Sequence, residues 1–138
     1  MILNNMNAII TIKNRQQIDG QRDDIEVMTE GSFYDKNGTY YILYTEGEEG
    51  VSTRIKASRQ TVSIRKSGAY SSDFLYETGR THSFVYRMPY GEIAMELNTQ
   101  KVYIELSETG GTIVLDYILE MNLQKIENHL TISVQLRK

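Results

Sequence analysis

The chain has 138 residues, 40% of them hydrophobic and 24% charged, a balance that excludes a disordered polymer and suits one domain, 1–138, with its own core. It has no cysteine, which excludes disulfides, thiolate nucleophiles and cysteine-held metal clusters. A net charge of −3 offers no general attraction to nucleic acid or anionic lipid, and no apolar run approaches a membrane span, so a cytoplasmic protein without membrane attachment is expected.

Apolar and polar residues alternate with period two from end to end, and turn-forming residues recur every eight to twelve positions, the pattern of strands joined as hairpins. The first expected strand, 7–18, carries Ile10 and Ile12 on one face, with Asn14 and Gln16 further along it. Strand 25–34 follows with Val27, Thr29 and Phe33. Asn37-Gly38 is a strong type I′ signal leading into 39–46; it pairs Phe33 with Ile42 and Gly31 with Tyr44. A loop over Gly47 to Gly50 leads to 51–57, setting Tyr44 beside Thr53 and Ile42 beside Ile55. A turn at Ser58-Arg59 leads to 60–66 and sets Ile55 beside Val62. The loop Ser67-Gly68-Ala69 leads to 70–77 and sets Val62 beside Phe74.

The connection at Thr78-Gly79 permits either register for strand 81–88. Met88-Pro89-Tyr90-Gly91 reads as a type I turn into 92–97, pairing Tyr86 with Ile93 and Phe84 with Met95. A turn at Thr99-Gln100 is expected before 102–107, setting Met95 beside Ile104. A loop at Glu108 to Gly111 leads to 112–123 and sets Ile104 beside Leu115. A longer loop at 124–129, holding His129, leads to 130–137 and sets Met121 beside Ile132.

These registers keep one face apolar through nearly every hairpin, and so long a one-sided sheet must cover itself. The expected fold is therefore all-β, an antiparallel meander closed into a barrel of eight to ten strands. Eleven runs can be read, and a closed antiparallel meander needs an even number, so at least one boundary must move.

The inward face is not uniformly apolar. Asn14, Gln16, Thr29 and Glu46 gather near one end, with Tyr44 and Thr53 next, and Ser72, Tyr76, His82, Tyr86 and Tyr117 further round. Buried polar groups need partners, which a mutual network, water or a ligand can supply. The candidate ligand-binding residues are Tyr44, His82, Tyr86 and Tyr117 in the lining, with Asn14, Thr29 and Glu46 at the mouth. The expected function is non-enzymatic binding of a small, partly apolar molecule. The alternative is a filled barrel that acts through its outer face as a structural or interaction module, including as a homo-oligomer.

No catalytic signature, metal-ligand spacing or phosphate-cradling glycine motif is present, so no catalytic residue, metal or cofactor is expected. Acid–base chemistry, if there were any, would fall to Glu46 or to His82 with a tyrosine. The charge is uneven: 19–49 holds nine acids against Arg22 and Lys36, whereas 51–66 holds five bases and no acid. Arg54 and Lys56 share the outer face, with Arg65 opposite Ser52. Nucleic-acid binding is not expected, because outward Tyr34 and Tyr41 lie in the acidic zone rather than among the bases.

The segment Val62-Ser63-Ile64-Arg65-Lys66-Ser67-Gly68, followed by Phe84-Val85-Tyr86-Arg87-Met88-Pro89-Tyr90-Gly91, resembles the YwiB-like family of uncharacterised bacterial proteins. Tyr86, Pro89, Tyr90 and Gly91 match the family's Tyr-x-Thr-Pro-Tyr-Gly pattern, and Met88 departs from its threonine. The likeness covers nearly the whole chain and implies a calycin or lipocalin-like barrel. The glycine-x-tryptophan signature of true lipocalins is missing, and the resemblance implies no ligand or activity.

Overall fold

The computed structural model describes residues 6–46 and 50–137, with only the backbone of Glu46. Ten strands, all pairing antiparallel, form one sheet: β1 (Ala8–Ile18), β2 (Gln21–Lys36), β3 (Thr39–Glu46), β4 (Val51–Ser58), β5 (Thr61–Ser67), β6 (Ser72–Glu77), β7 (Thr81–Met88), β8 (Gly91–Ser107), β9 (Gly110–Met121) and β10 (Gln124–Leu136). Their order is β6-β5-β4-β3-β2-β1-β10-β9-β8-β7. The first and last strands pair, Ile10 facing Val134 and Ile12 facing Ile132, so the seam falls midway along the sequence, between β6 and β7.

That seam is nearly closed. Ser71 and Arg87 exchange two backbone hydrogen bonds of 3.0 Å, and beyond β6 the Gly79 N–H donates to the Thr99 carbonyl at 2.8 Å. Aromatic rings fill the space that backbone pairing leaves. Phe74 and Phe84 meet at 4.1 Å between centroids, and Tyr70 stacks on Tyr86 at 5.8 Å. The result is a ten-stranded barrel whose core includes Ile10, Ile42, Ile55, Val62, Leu97, Ile113, Leu115 and Ile132, all essentially inaccessible to solvent. Removing these side chains from water supplies the main drive for the sheet to roll up.

The pairs Phe33–Ile42, Ile42–Ile55, Tyr44–Thr53, Phe84–Met95 and Tyr86–Ile93 stand as the turn chemistry requires. Phe84 and Tyr86 are inward, which resolves the open register of β7. Three other hairpins are slipped by two residues. Ile55 faces Ile64 rather than Val62, Val62 faces Tyr76 rather than Phe74, and Ile104 faces Ile113 rather than Leu115. A two-residue slip preserves the face, so the inward set survives it.

The expected turn at Thr99-Gln100 does not exist. β8 runs straight through it with a bulge between Thr99 and Lys101, which merges two expected strands and makes the count even. Inward positions change there from Met95, Leu97 and Thr99 to Val102, Ile104 and Leu106. The extra residue of a bulge produces that change of parity, and no residue of the segment needs the positive φ of a tight turn.

The stretch 124–129 is strand rather than loop. The hairpin turns on Asn122-Leu123, both at positive φ, so Met121 faces Gln124 and not Ile132. A leucine in a type I′ turn is poor turn chemistry, fully exposed here, and that concealed the hairpin. Asp19-Gly20 makes another such turn, which extends β2 back to Gln21. The Gly47 to Gly50 loop lies, but for Gly50, outside the described residues.

Candidate functional site

β2 changes partners at Gly31. Up to Gly31 the strand pairs with β1, and from Ser32 onward it pairs with β3. A Cβ at Gly31 would lie 2.3 Å from the Leu43 carbonyl oxygen and 2.4 Å from Ile10 Cδ1, so only glycine lets β1, β2 and β3 meet there. Past that point the β1–β2 hairpin stands free of β3. Ile25 and Val27, on its inner face, remain 46% and 36% exposed, although Val27 belongs to the expected core.

Beside this hairpin the barrel interior opens as a half-enclosed cavity of about 330 Å³. Its buried surfaces come from Tyr44, Ile55, Ile64, Tyr76, Tyr117 and Ile132. Its rim combines exposed Ile25 and Val27 with half-buried Lys66, Tyr70 and Tyr86. Lys66 follows Val62 and Ile64 on the inward face of β5, which brings a cation to the cavity.

The tyrosines of the interior are not equivalent. Tyr76 and Tyr117 pack edge to face, and burial pushes both phenols upward, Tyr117 to about 12 and Tyr76 well above its ordinary value. A hydrogen bond between the two hydroxyls opposes the rise at Tyr117 and adds to that at Tyr76, with Tyr44 adding further. At the rim, burial and then the neighbouring Tyr70 raise Tyr86 more modestly. Tyr76, Tyr117 and Tyr86 are neutral phenols near pH 7, able to donate or accept a hydrogen bond.

An amide cluster stands beside the cavity on β1 and β10. Asn128, buried, donates from Nδ2 to the Ile126 carbonyl at 3.0 Å. Its Oδ1 therefore accepts from Asn14 Nδ2 at 3.2 Å and Gln16 Nε2 at 3.0 Å. This orients Asn14 and leaves its Oδ1 buried without a hydrogen-bond partner among the described residues, a state shared by the hydroxyls of Thr53 and Thr99.

Of the residues singled out from sequence, Tyr44, Tyr86, Tyr117 and Asn14 come together around the cavity. His82 does not join them. It is half-buried and bonded through Nε2 to Glu77 at 3.0 Å, as an ion pair or neutral hydrogen bond. Thr29 also falls outside the lining, its hydroxyl donating to the Glu30 carbonyl at 3.4 Å. Glu46 ends β3, and its side chain lies outside the described residues. Sequence reasoning passed over Lys66, Tyr70 and Asn128. Alternation after Ile64 marks Lys66; Tyr70 opens the expected strand 70–77 but lies in the loop before β6, and Asn128 falls in a segment that reads as loop.

His129 lies on β10 and pairs across the strand with Asp116 on the outer face. Arg65 stands opposite Arg54 rather than Ser52, and is held by Asp73 at 2.9 Å. Among the described residues, no three His, Asp or Glu side chains are grouped to hold a metal ion.

Ten antiparallel strands around an open-ended, tyrosine-lined interior define a meander β-barrel. The chain belongs to the family described as a domain of unknown function, DUF1934, whose model matches residues 10–132. It is similar to the uncharacterized beta-barrel protein YwiB of Bacillus subtilis (strain 168), at 29% identity over 121 residues, 86% of this chain and 84% of that protein. The crystal structure of ywiB protein from Bacillus subtilis matches it with a TM-score of 0.88 at 26% identity, over 96% of this chain and 93% of the other. The likeness seen in the Phe84–Gly91 segment thus extends to the whole fold.

Proposed function

We propose that the barrel binds a small, partly apolar molecule in its interior and performs no chemistry on it. The observation that carries this reading is the half-enclosed cavity of about 330 Å³ opening between the free β1–β2 hairpin and the Tyr70–Tyr86 pair. Its size sits at the lower end of ordinary ligand pockets, and apolar walls with a few polar groups are what such pockets use. The apolar part of the molecule lies against Ile55, Ile64 and Ile132. Its polar end lies at the rim, beside Lys66, Tyr70 and Tyr86.

The test is fluorescence titration with 1-anilinonaphthalene-8-sulfonate, competed by dodecanoic acid and by indole. The expected result is saturable binding at one site per chain, displaced by at least one competitor. Binding is weakened in Ile64→Trp, whose larger side chain enters the cavity, while circular dichroism shows the fold retained. Binding that survives Ile64→Trp unchanged, or no saturable binding at all, would remove the reading.

A further inference from the structure

The exposed flank of β2 has a second property, set by its hydrogen-bond pattern. In a two-residue hairpin the residues flanking the turn, here Ile18 and Gln21, exchange both backbone bonds, and the pattern then alternates. The N–H and C=O groups of Arg22, Asp24, Glu26 and Met28 therefore point away from β1. Among the described residues, no strand pairs with β2 on that side before Ser32. Met28, on the outer face, is 67% exposed, beside Ile25 and Val27 on the inner one. A free edge with apolar side chains on both faces is what monomeric β proteins avoid.

The sequence of this edge is complementary to itself in one antiparallel register. With Glu26 placed opposite Glu26 of a second copy, Ile25 meets Val27 twice on the inner face. Arg22, bonded within its own chain to Asp24 at 3.0 Å, meets Glu30, itself held by Arg137, twice on the outer face, and Asp24 meets Met28. Moving the centre to Ile25 or Val27 instead sets Asp24 against Glu26 or against Glu30 twice, two like-charge contacts where the Glu26 centre has one. We propose that two copies of this chain pair through the free edge of β2, antiparallel about a two-fold axis at Glu26, as a symmetric dimer.

The pairing satisfies the outward backbone groups of both edges and covers Ile25 and Val27. Because a two-fold axis normal to the sheet keeps both inner faces on one side, the rims of the two cavities become neighbours. The Glu26–Glu26 contact is the one unfavourable pair. It gives the arrangement a signature that generic stickiness lacks.

The test is sedimentation velocity on the full chain over a range of concentrations, with three variants. Proline at an edge position removes an outward N–H without breaking a bond to β1, so Met28→Pro weakens the dimer roughly ten- to a hundredfold. Glu26→Gln removes the like-charge contact and tightens it by roughly two- to fivefold. The chain has no cysteine, so Glu26→Cys introduces the one thiol, and it oxidises to a covalent dimer faster than Glu30→Cys, which faces Arg22. A wild-type chain that stays monomeric, or Glu30→Cys crosslinking as fast as Glu26→Cys, overturns the proposal. The cysteine comparison decides the matter even if the proline variant fails to fold.

Discussion

Tyr76 and Tyr117 stand with ring centroids 4.9 Å apart and their planes 68° from parallel, the edge of one ring toward the face of the other. Burial holds both hydroxyls protonated well past the range where a free phenol ionises. In the unfolded chain the same groups ionise near 10, so raising pH through 10 to 12 favours the unfolded state, and stability present below 10 is lost across that window. Urea midpoints measured from pH 8 to 11.5 should fall above pH 10. The fall should be shallower in Tyr117→Phe, and an equal slope in that variant would contradict the assignment.

Phe84 faces Phe74 across the β6–β7 seam, where backbone bonds are sparse. Phe84→Ala should therefore cost about 2–3 kcal/mol, less than a fully buried aromatic because Phe84 is only partly buried. The loss should also be local. Amide hydrogen exchange is predicted to speed up in β6 and β7 before it does in β1 and β10.

Gly31 is the point where three strands come together, and a methyl group there meets backbone oxygen on one side and Ile10 on the other. Gly31→Ala should destabilise by about 2–4 kcal/mol, a magnitude typical of overpacked or strained core sites. Gly38→Ala provides the contrast. Its left-handed φ of 85° is strained for alanine, but an added Cβ meets nothing, so the cost should be about 1 kcal/mol.

Asn128 orients two other amides through a single oxygen. Asn128→Ala leaves the amide groups of Asn14 and Gln16 without that acceptor and should cost about 1–3 kcal/mol. A double variant Asn14→Leu with Asn128→Leu removes donor and acceptor together and should cost less than Asn128→Ala. Thermal unfolding of the two variants decides this.

How much of this was legible in the chain depended on what each residue had to do locally. Alternation is a strong signal wherever one face is buried, so the barrel and most of its inward residues could be read from residues such as Ile42, Ile55 and Val62. Asn37-Gly38 fixed its hairpin because few residues tolerate positive φ at both central positions, and Met88–Gly91 because proline presets the φ of its turn position. Asn122-Leu123 hid its turn, since leucine adopts positive φ only where the surrounding pairing imposes it. The bulge near Gln100 imitated a turn, because both interrupt alternation. The cavity was less legible than its walls. Tyr44, Tyr86 and Tyr117 follow from strand parity, but Tyr70 reaches the rim from a loop, and His82 is drawn aside by Glu77.

The central claim is that the interior itself takes up a small apolar molecule. Methyl-resolved NMR of isoleucine-labelled protein tests it directly, because isoleucines occur on both faces of the sheet. Titration with indole or dodecanoic acid should shift Ile55, Ile64 and Ile132, which line the cavity, and leave Ile9 and Ile118, on the outer face, unmoved. Shifts confined to Ile9 and Ile118, or none at saturating concentrations of either probe, would contradict it.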